Sequence, residues 1–178
     1  MSDLIVEGVT QSMDIPEKHF GMTYHALMVP PFPVRSALIL GYGDGNVPCL
    51  MEKVWPVGCE FTGVDLRDPA PGREPVLFFK REAWQFVEWG EKVYDFVCVD
   101  LFKGKHIPDF VFSEKFVDGL ARITGKILAI NCTFYKWTEF RVYGKHFLPD
   151  ACKTVNEDKV MFMLPKHLFE KEDAPEAS

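Results

Sequence analysis

Five short strand-forming runs, each closed by a break and several followed by a segment of helical period, constrain this chain more than any other feature. The runs are Ala37–Leu40, Cys59–Leu66, Val76–Phe79, Phe96–Val99 and Ile127–Ile130. Continuous apolar runs of this length suit strands buried on both faces, as in a parallel sheet. Between them lie amphipathic segments. Val47, Leu50, Met51 and Val54 fall on one helical face, and Pro48 is tolerated because a first turn has no intrahelical donor to lose. Ala83, Phe86 and Val87 mark a second helix closed by Gly90. Ser113 opens a third, which carries Phe116, Val117, Leu120 and Ile123 and stops near Gly125. Thr133 is read as the cap of a fourth, presenting Phe140, Tyr143, Gly144 and Phe147. The Pro- and Gly-rich DPAPGREP stretch reads as a loop. Two closing strands, Ala151–Val155 and Lys159–Leu164, flank the turn Asn156-Glu157-Asp158. The pattern predicts an α/β doubly wound fold: a mostly parallel sheet of about seven strands, helices on both faces and an antiparallel C-terminal edge hairpin.

Charge sorts the 178 residues into three parts. Residues 1–20 carry −3 and residues 170–178 carry −3, which leaves the body at zero within a total of −6. The expected organisation is an acidic N-terminal segment (1–20), one domain (21–169) and an acidic disordered tail (170–178). A neutral body lacks the basic excess that nucleic-acid binding needs. Five cysteines without a CxxC spacing read as free thiols in a reducing compartment and offer no zinc site, so no metal is expected. The N-terminus is acidic where a signal peptide is basic, and no run approaches membrane-span length. The expectation is a soluble cytoplasmic domain with no membrane partner. Its oligomeric state is open, a homodimer included.

In open α/β sheets, ligands sit at the carboxyl ends of the strands. After the first run comes Gly41-Tyr42-Gly43-Asp44-Gly45, whose glycines let the backbone turn and approach a ligand. Asp65 ends the second run, at a distance suited to accepting hydrogen bonds from ribose hydroxyls. Glu82-Ala83 follows the third and Asp100 the fourth. Each acid alone could be a helix cap or a solvated loop residue. Together they point to an adenosyl-type ligand.

The segments GYGDGNVP, GVDL, REAW and YDFVCVDLFKG, in this order from Tyr24 to Leu164, resemble the class I S-adenosylmethionine-dependent methyltransferases, which have a Rossmann-like fold. Within that superfamily the sequence is most similar to the spermidine synthase-like branch of polyamine aminopropyltransferases. Asp44 lies among the loop glycines as in that branch, Tyr24-His25 resembles its pocket-lining segment, and Phe112–Leu120 and Asn131 resemble its helix and the end of its fifth strand. The resemblance implies that Gly41, Tyr42, Gly43 and Gly45 cradle the amino-acid portion of S-adenosylmethionine or its decarboxylated form. Asp44 would pair with its ammonium group, Asp65 and Leu66 would flank the ribose, and Glu82 and Ala83 would meet the adenine. Asp100 would lie beside the sulfonium and receive the acceptor's proton. Tyr24, His25, Phe102 and Lys103 would line the pocket of a small-molecule acceptor. Lys103 occupies a position where the branch usually has a second acid, and a lysine facing inward would repel a polyamine. Three readings follow: a small methyltransferase, an aminopropyltransferase, or a cofactor-binding domain without turnover. Phe134, Tyr135 and Trp137 either line an aromatic pocket or belong to the core.

Overall fold

The computed structural model describes residues 4–6, 9–12, 23–155 and 158–170. Strands β1 (Leu4–Val6) and β2 (Val9–Ser12) form an antiparallel hairpin in the segment where the sequence predicts only an acidic tail. The short helix α1 (Tyr24–Leu27) follows. The alternation then runs β3 (Ser36–Leu40), α2 (Asn46–Val54), β4 (Glu60–Asp65), β5 (Leu77–Lys80), α3 (Ala83–Trp89), β6 (Tyr94–Val99), α4 (Glu114–Ile123) and β7 (Thr124–Asn131). It closes with β8 (Phe147–Val155) and β9 (Asp158–Pro165). Seven of these strands make one sheet in the order β5-β4-β3-β6-β7-β9-β8. The first five are parallel, and β9 enters antiparallel to both β7 and β8. The predicted doubly wound sheet with an antiparallel closing hairpin is the fold observed. Residues 156, 157 and 171–178, which hold most of the expected turn and tail, lie outside the described residues.

Alternate residues of the central strands feed two cores. Leu38 and Leu40 of β3, Val97 and Val99 of β6, and Leu128 and Ile130 of β7 pack with Val117, Leu120 and Ile123 of α4. Ala37, Ile39, Phe96, Cys98, Ile127 and Ala129 face the other way, onto Met28 and onto Val47, Leu50 and Met51 of α2. Burial on both sides is why these runs are apolar at every position. At the edge, β5 has one neighbour, and Val76 and Leu77 beside and within it stay exposed.

Helix ends follow local chemistry. The Ser113 hydroxyl accepts from the Phe116 amide at 3.3 Å and starts α4 as expected. Near its other end, the Arg122 guanidinium donates to the Val87 and Glu88 carbonyls of α3 at 2.8 and 3.0 Å. That bond pairs a cation with the negative end of a neighbouring helix. Thr133 is not a cap. Its hydroxyl accepts from the Lys159 amide at 3.1 Å, and the 3-10 helix Trp137–Lys145 starts after Lys136, whose amide donates to Glu139 at 2.9 Å. Phe140 and Tyr143 are buried from that helix, whereas Phe147 belongs to β8.

Candidate active site

The chain leaves β3 toward α2 on one face of the sheet and leaves the adjacent β6 toward α4 on the other. A crevice opens where the connections diverge. Gly41, Gly43 and Gly45 all hold left-handed φ values, of 85°, 54° and 70°. At Gly41 the need for glycine is steric as well: a Cβ there would fall 2.1 Å from the Asp100 carbonyl oxygen. The loops after β3 and β6 therefore touch through bare backbone.

Asp65 shapes this loop. One carboxylate oxygen accepts from the Gly43 amide at 2.8 Å, and the other accepts from the Arg67 amide at 3.0 Å. Tyr42 turns inward and packs its ring over Gly63, where a Cβ would lie 2.6 Å from the ring. Its hydroxyl donates to the Arg73 carbonyl at 2.7 Å, while the Arg73 guanidinium donates to Asn46 at 2.7 Å. The β4–β5 loop is thereby pinned over the glycine loop. Tyr42→Phe removes one part-buried hydrogen bond and is expected to cost about 1 kcal/mol in urea unfolding. A variant as stable as the parent would show that the pin is made elsewhere.

Asp100 sits at the floor. Its amide donates to the Leu40 carbonyl at 2.8 Å, and one carboxylate oxygen accepts from the Asn131 side chain at 2.9 Å. Burial pushes its pKa up to about 6, against the stabilising hydrogen bonds from Asn131 and the Tyr24 hydroxyl and with the nearby charges of Asp65 and Asp158. Tyr24 in turn has its pKa raised by burial and by Asp100. The ring of His25 stacks on Tyr24 with centroids 3.9 Å apart, and burial lowers its pKa to about 4, so the imidazole is neutral at pH 7. Asn131 also accepts from the Thr133 amide at 3.1 Å, which links the floor to the loop after β7.

One cavity of about 880 Å³ joins these groups. Tyr24, His25, Gly41, Tyr42, Gly43, Asp44, Asp65, Leu66, Glu82, Ala83, Asp100, Phe102 and Lys103 all line it. Gly45 does not; it turns the chain into α2 as the residue before its first turn. Glu82 precedes α3 and spends no side-chain hydrogen bond on capping it. Lys103 is exposed at the rim, in a tight turn where its amide donates to the His106 carbonyl at 2.8 Å. The sequence reading missed Arg67, Arg81, Trp84 and Asp158, which also line the cavity. Asp158 could not be placed there without knowing that β9 lies beside β7. Of the three aromatic candidates, Phe134 lines the cavity. Tyr135 packs against Phe112 and accepts from the Ile107 amide at 2.8 Å, a structural role. Among the described residues no cluster of His, Cys, Asp and Glu is arranged to hold a metal ion, and no helix is long and apolar enough to cross a membrane.

No family model matches the chain, and no curated protein matches it. Solved structures do. The 1,6-didemethyltoxoflavin-N1-methyltransferase of Burkholderia thailandensis, bound to 1,6-didemethyltoxoflavin and S-adenosylhomocysteine, is 16% identical with a TM-score of 0.60. That match covers 82% of this chain and 78% of the other. The PH0226 protein of Pyrococcus horikoshii OT3 is 17% identical with a TM-score of 0.61, over 84% of this chain and 90% of its own. The magnesium protoporphyrin IX methyltransferase of Synechocystis PCC 6803, with bound S-adenosylhomocysteine, is 12% identical with a TM-score of 0.57, over 86% and 90%. At these identities the likeness is one of fold: the seven-stranded Rossmann-like sheet of the methyltransferases.

Proposed function

We propose that this protein is an S-adenosylmethionine-dependent transferase that methylates a small-molecule acceptor. The observation that carries the reading is the meeting of four strand ends on one cavity: the glycine loop, Asp65, Glu82 and, at the floor, the half-buried Asp100. The bare backbone at Gly41 fits a ligand that needs close main-chain approach. In this reading the Gly41–Gly45 main chain and Asp44 hold the amino-acid end, Asp65 and Leu66 the ribose, and Glu82 and Ala83 the adenine. When bound, S-adenosylmethionine supplies an activated methyl group on a cationic sulfur. The chain's own task is alignment and proton removal. Asp100, fixed by Asn131 and Tyr24, is ionised at neutral pH yet basic enough to take a proton from an acceptor N–H or O–H. Two of the structural neighbours are named for small-molecule substrates, which agrees with a cavity of this size.

The spermidine synthase-like type is the finer form of this reading. The contact of Tyr24 with Asp100 and the presence of Asp44 in the glycine loop favour aminopropyl transfer from the decarboxylated cofactor as a second reading. Calorimetric titration with both forms separates the two. Tighter binding of intact S-adenosylmethionine supports methyl transfer, and tighter binding of the decarboxylated form supports aminopropyl transfer. Binding of neither sinks the transferase reading. Binding without transfer to a broad panel of amines, hydroxyls and carboxylates leaves a cofactor-binding domain. Because a cation beside Asp100 must displace its proton, affinity is expected to fall about tenfold per pH unit below pH 6.

A further inference from the structure

Phe134 is held in a left-handed conformation with its ring outside the core. It is the only non-glycine residue with positive φ among the described residues, at 72°. A bulky side chain is strained there, and such strain persists only where the surroundings impose it. Here they do so on both sides. Thr133 is fixed through its hydroxyl to the Lys159 amide and through its own amide to Asn131. Tyr135 donates its amide to the Cys132 carbonyl at 3.0 Å and is anchored at its hydroxyl by Ile107. The strained ring is nevertheless 54% exposed, unlike Phe140 and Phe147 nearby in sequence, which are buried. It lines the cavity, and its loop is joined through Asn131 to Asp100.

We infer that the acceptor is a planar aromatic molecule and that Phe134 is the ring it stacks on. This rests on the transferase reading for the identity of the second ligand, but the stacking site itself is defined by the residues above. Phe102 and Phe110 also line the cavity. The Lys105 ammonium lies over one face of the Phe134 ring, 5.8 Å from its centroid, and Lys103 lines the cavity. A flat ring can stack on the remaining face of Phe134, and a lining that holds Asp100 and Asp158 as well as Lys103 suits a neutral ring system better than a strongly charged one. His25, neutral and buried in the cavity wall, adds no positive charge against such a ligand. Phe134 is thus a specificity-determining residue that selects the acceptor's shape.

The test uses the full chain, with and without saturating S-adenosylhomocysteine, and titrates quinoline, 6-hydroxyquinoline and indole against the saturated analogue decahydroquinoline by ligand-observed NMR. The planar probes are expected to bind and the saturated one to bind at least tenfold more weakly. Phe134→Gly relieves the backbone strain, so it should fold at least as stably as the parent while weakening the planar probes about tenfold. Phe134→Tyr should restore them. S-adenosylhomocysteine affinity should stay within twofold in every variant. Equal affinity for quinoline and decahydroquinoline, or planar-probe binding unaffected by Phe134→Gly, overturns the inference. If S-adenosylhomocysteine fails to bind, the transferase reading falls, while probe binding that depends on Phe134 still upholds the stacking site.

Discussion

Asp100→Asn is expected to abolish transfer while making the ligand-free protein harder to unfold at pH 8. Two separate consequences of one buried carboxylate produce this pair. In its proposed role as the group that receives the acceptor's proton, its loss should lower turnover about 10²- to 10⁴-fold. As a charge without full solvation, it costs the folded state free energy whenever it is ionised. Its folded pKa of about 6 lies above the ordinary 3.8 because burial outweighs the hydrogen bonds from Asn131 and Tyr24. A pKa raised on folding means that the folded state holds the proton more tightly. The associated stability is full below about pH 4 and is lost as pH climbs through 6. Asparagine keeps the shape and an acceptor for Asn131, and it has no charge to desolvate. The variant should therefore gain on the order of 3 kcal/mol relative to the parent at pH 8, and nothing at pH 3.5. In thermal unfolding that is a rise of roughly 6–12 °C at most. Parent-like turnover would remove Asp100 as the proton acceptor, and an unchanged or lower midpoint at pH 8 would show that its charge is well accommodated.

Gly41→Ala should be severely damaging for a single added methyl group. The new Cβ would meet the Asp100 carbonyl oxygen at 2.1 Å and its carbonyl carbon at 2.8 Å, both backbone atoms between adjacent parallel strands. The left-handed φ of 85° adds its own penalty. Left-handed strain of about 1–2 kcal/mol and overpacking of about 1–3 kcal/mol combine to a loss of roughly 2–5 kcal/mol. The crossing that shapes the crevice would shift as well, so S-adenosylhomocysteine binding should fall beyond detection. Gly144→Ala is the matching control, since a Cβ there meets nothing within 4 Å. It should change stability by less than about 0.5 kcal/mol. Urea unfolding and calorimetric titration of the two variants give the comparison, and a Gly41→Ala protein that binds and unfolds like the parent would contradict the close crossing.

The sheet was legible because its central strands are buried twice over. Leu38 and Ile39 face opposite cores, so every position of that run had to be apolar, and the same holds for Phe96–Val99 and Ile127–Ile130. The acids at the strand ends were legible because strand ends are short and sharply bounded. What failed depended on tertiary partners. Thr133 has the chemistry of a helix cap, but the Lys159 amide, 26 residues away, claims its hydroxyl. Asp158 reaches the cavity only because β9 is inserted beside β7, and the left-handed turn at Phe134 leaves no mark in composition or periodicity.

That insertion also sets an order of events during synthesis. Leu128–Asn131 pairs with Val160–Met163, while β8, made earlier, is pushed to the edge. The glycine loop, Asp65, Glu82 and Asp100 all belong to elements that can pair as soon as β6 is made. The Asn131–Thr133–Asp158 end must wait for the last strand, because loop closure over that separation comes only after β9 has left the ribosome. The glycine loop, Asp65, Glu82 and Asp100 thus stand on early chain, and the Asn131, Thr133 and Asp158 wall of the crevice is closed only by the last strand.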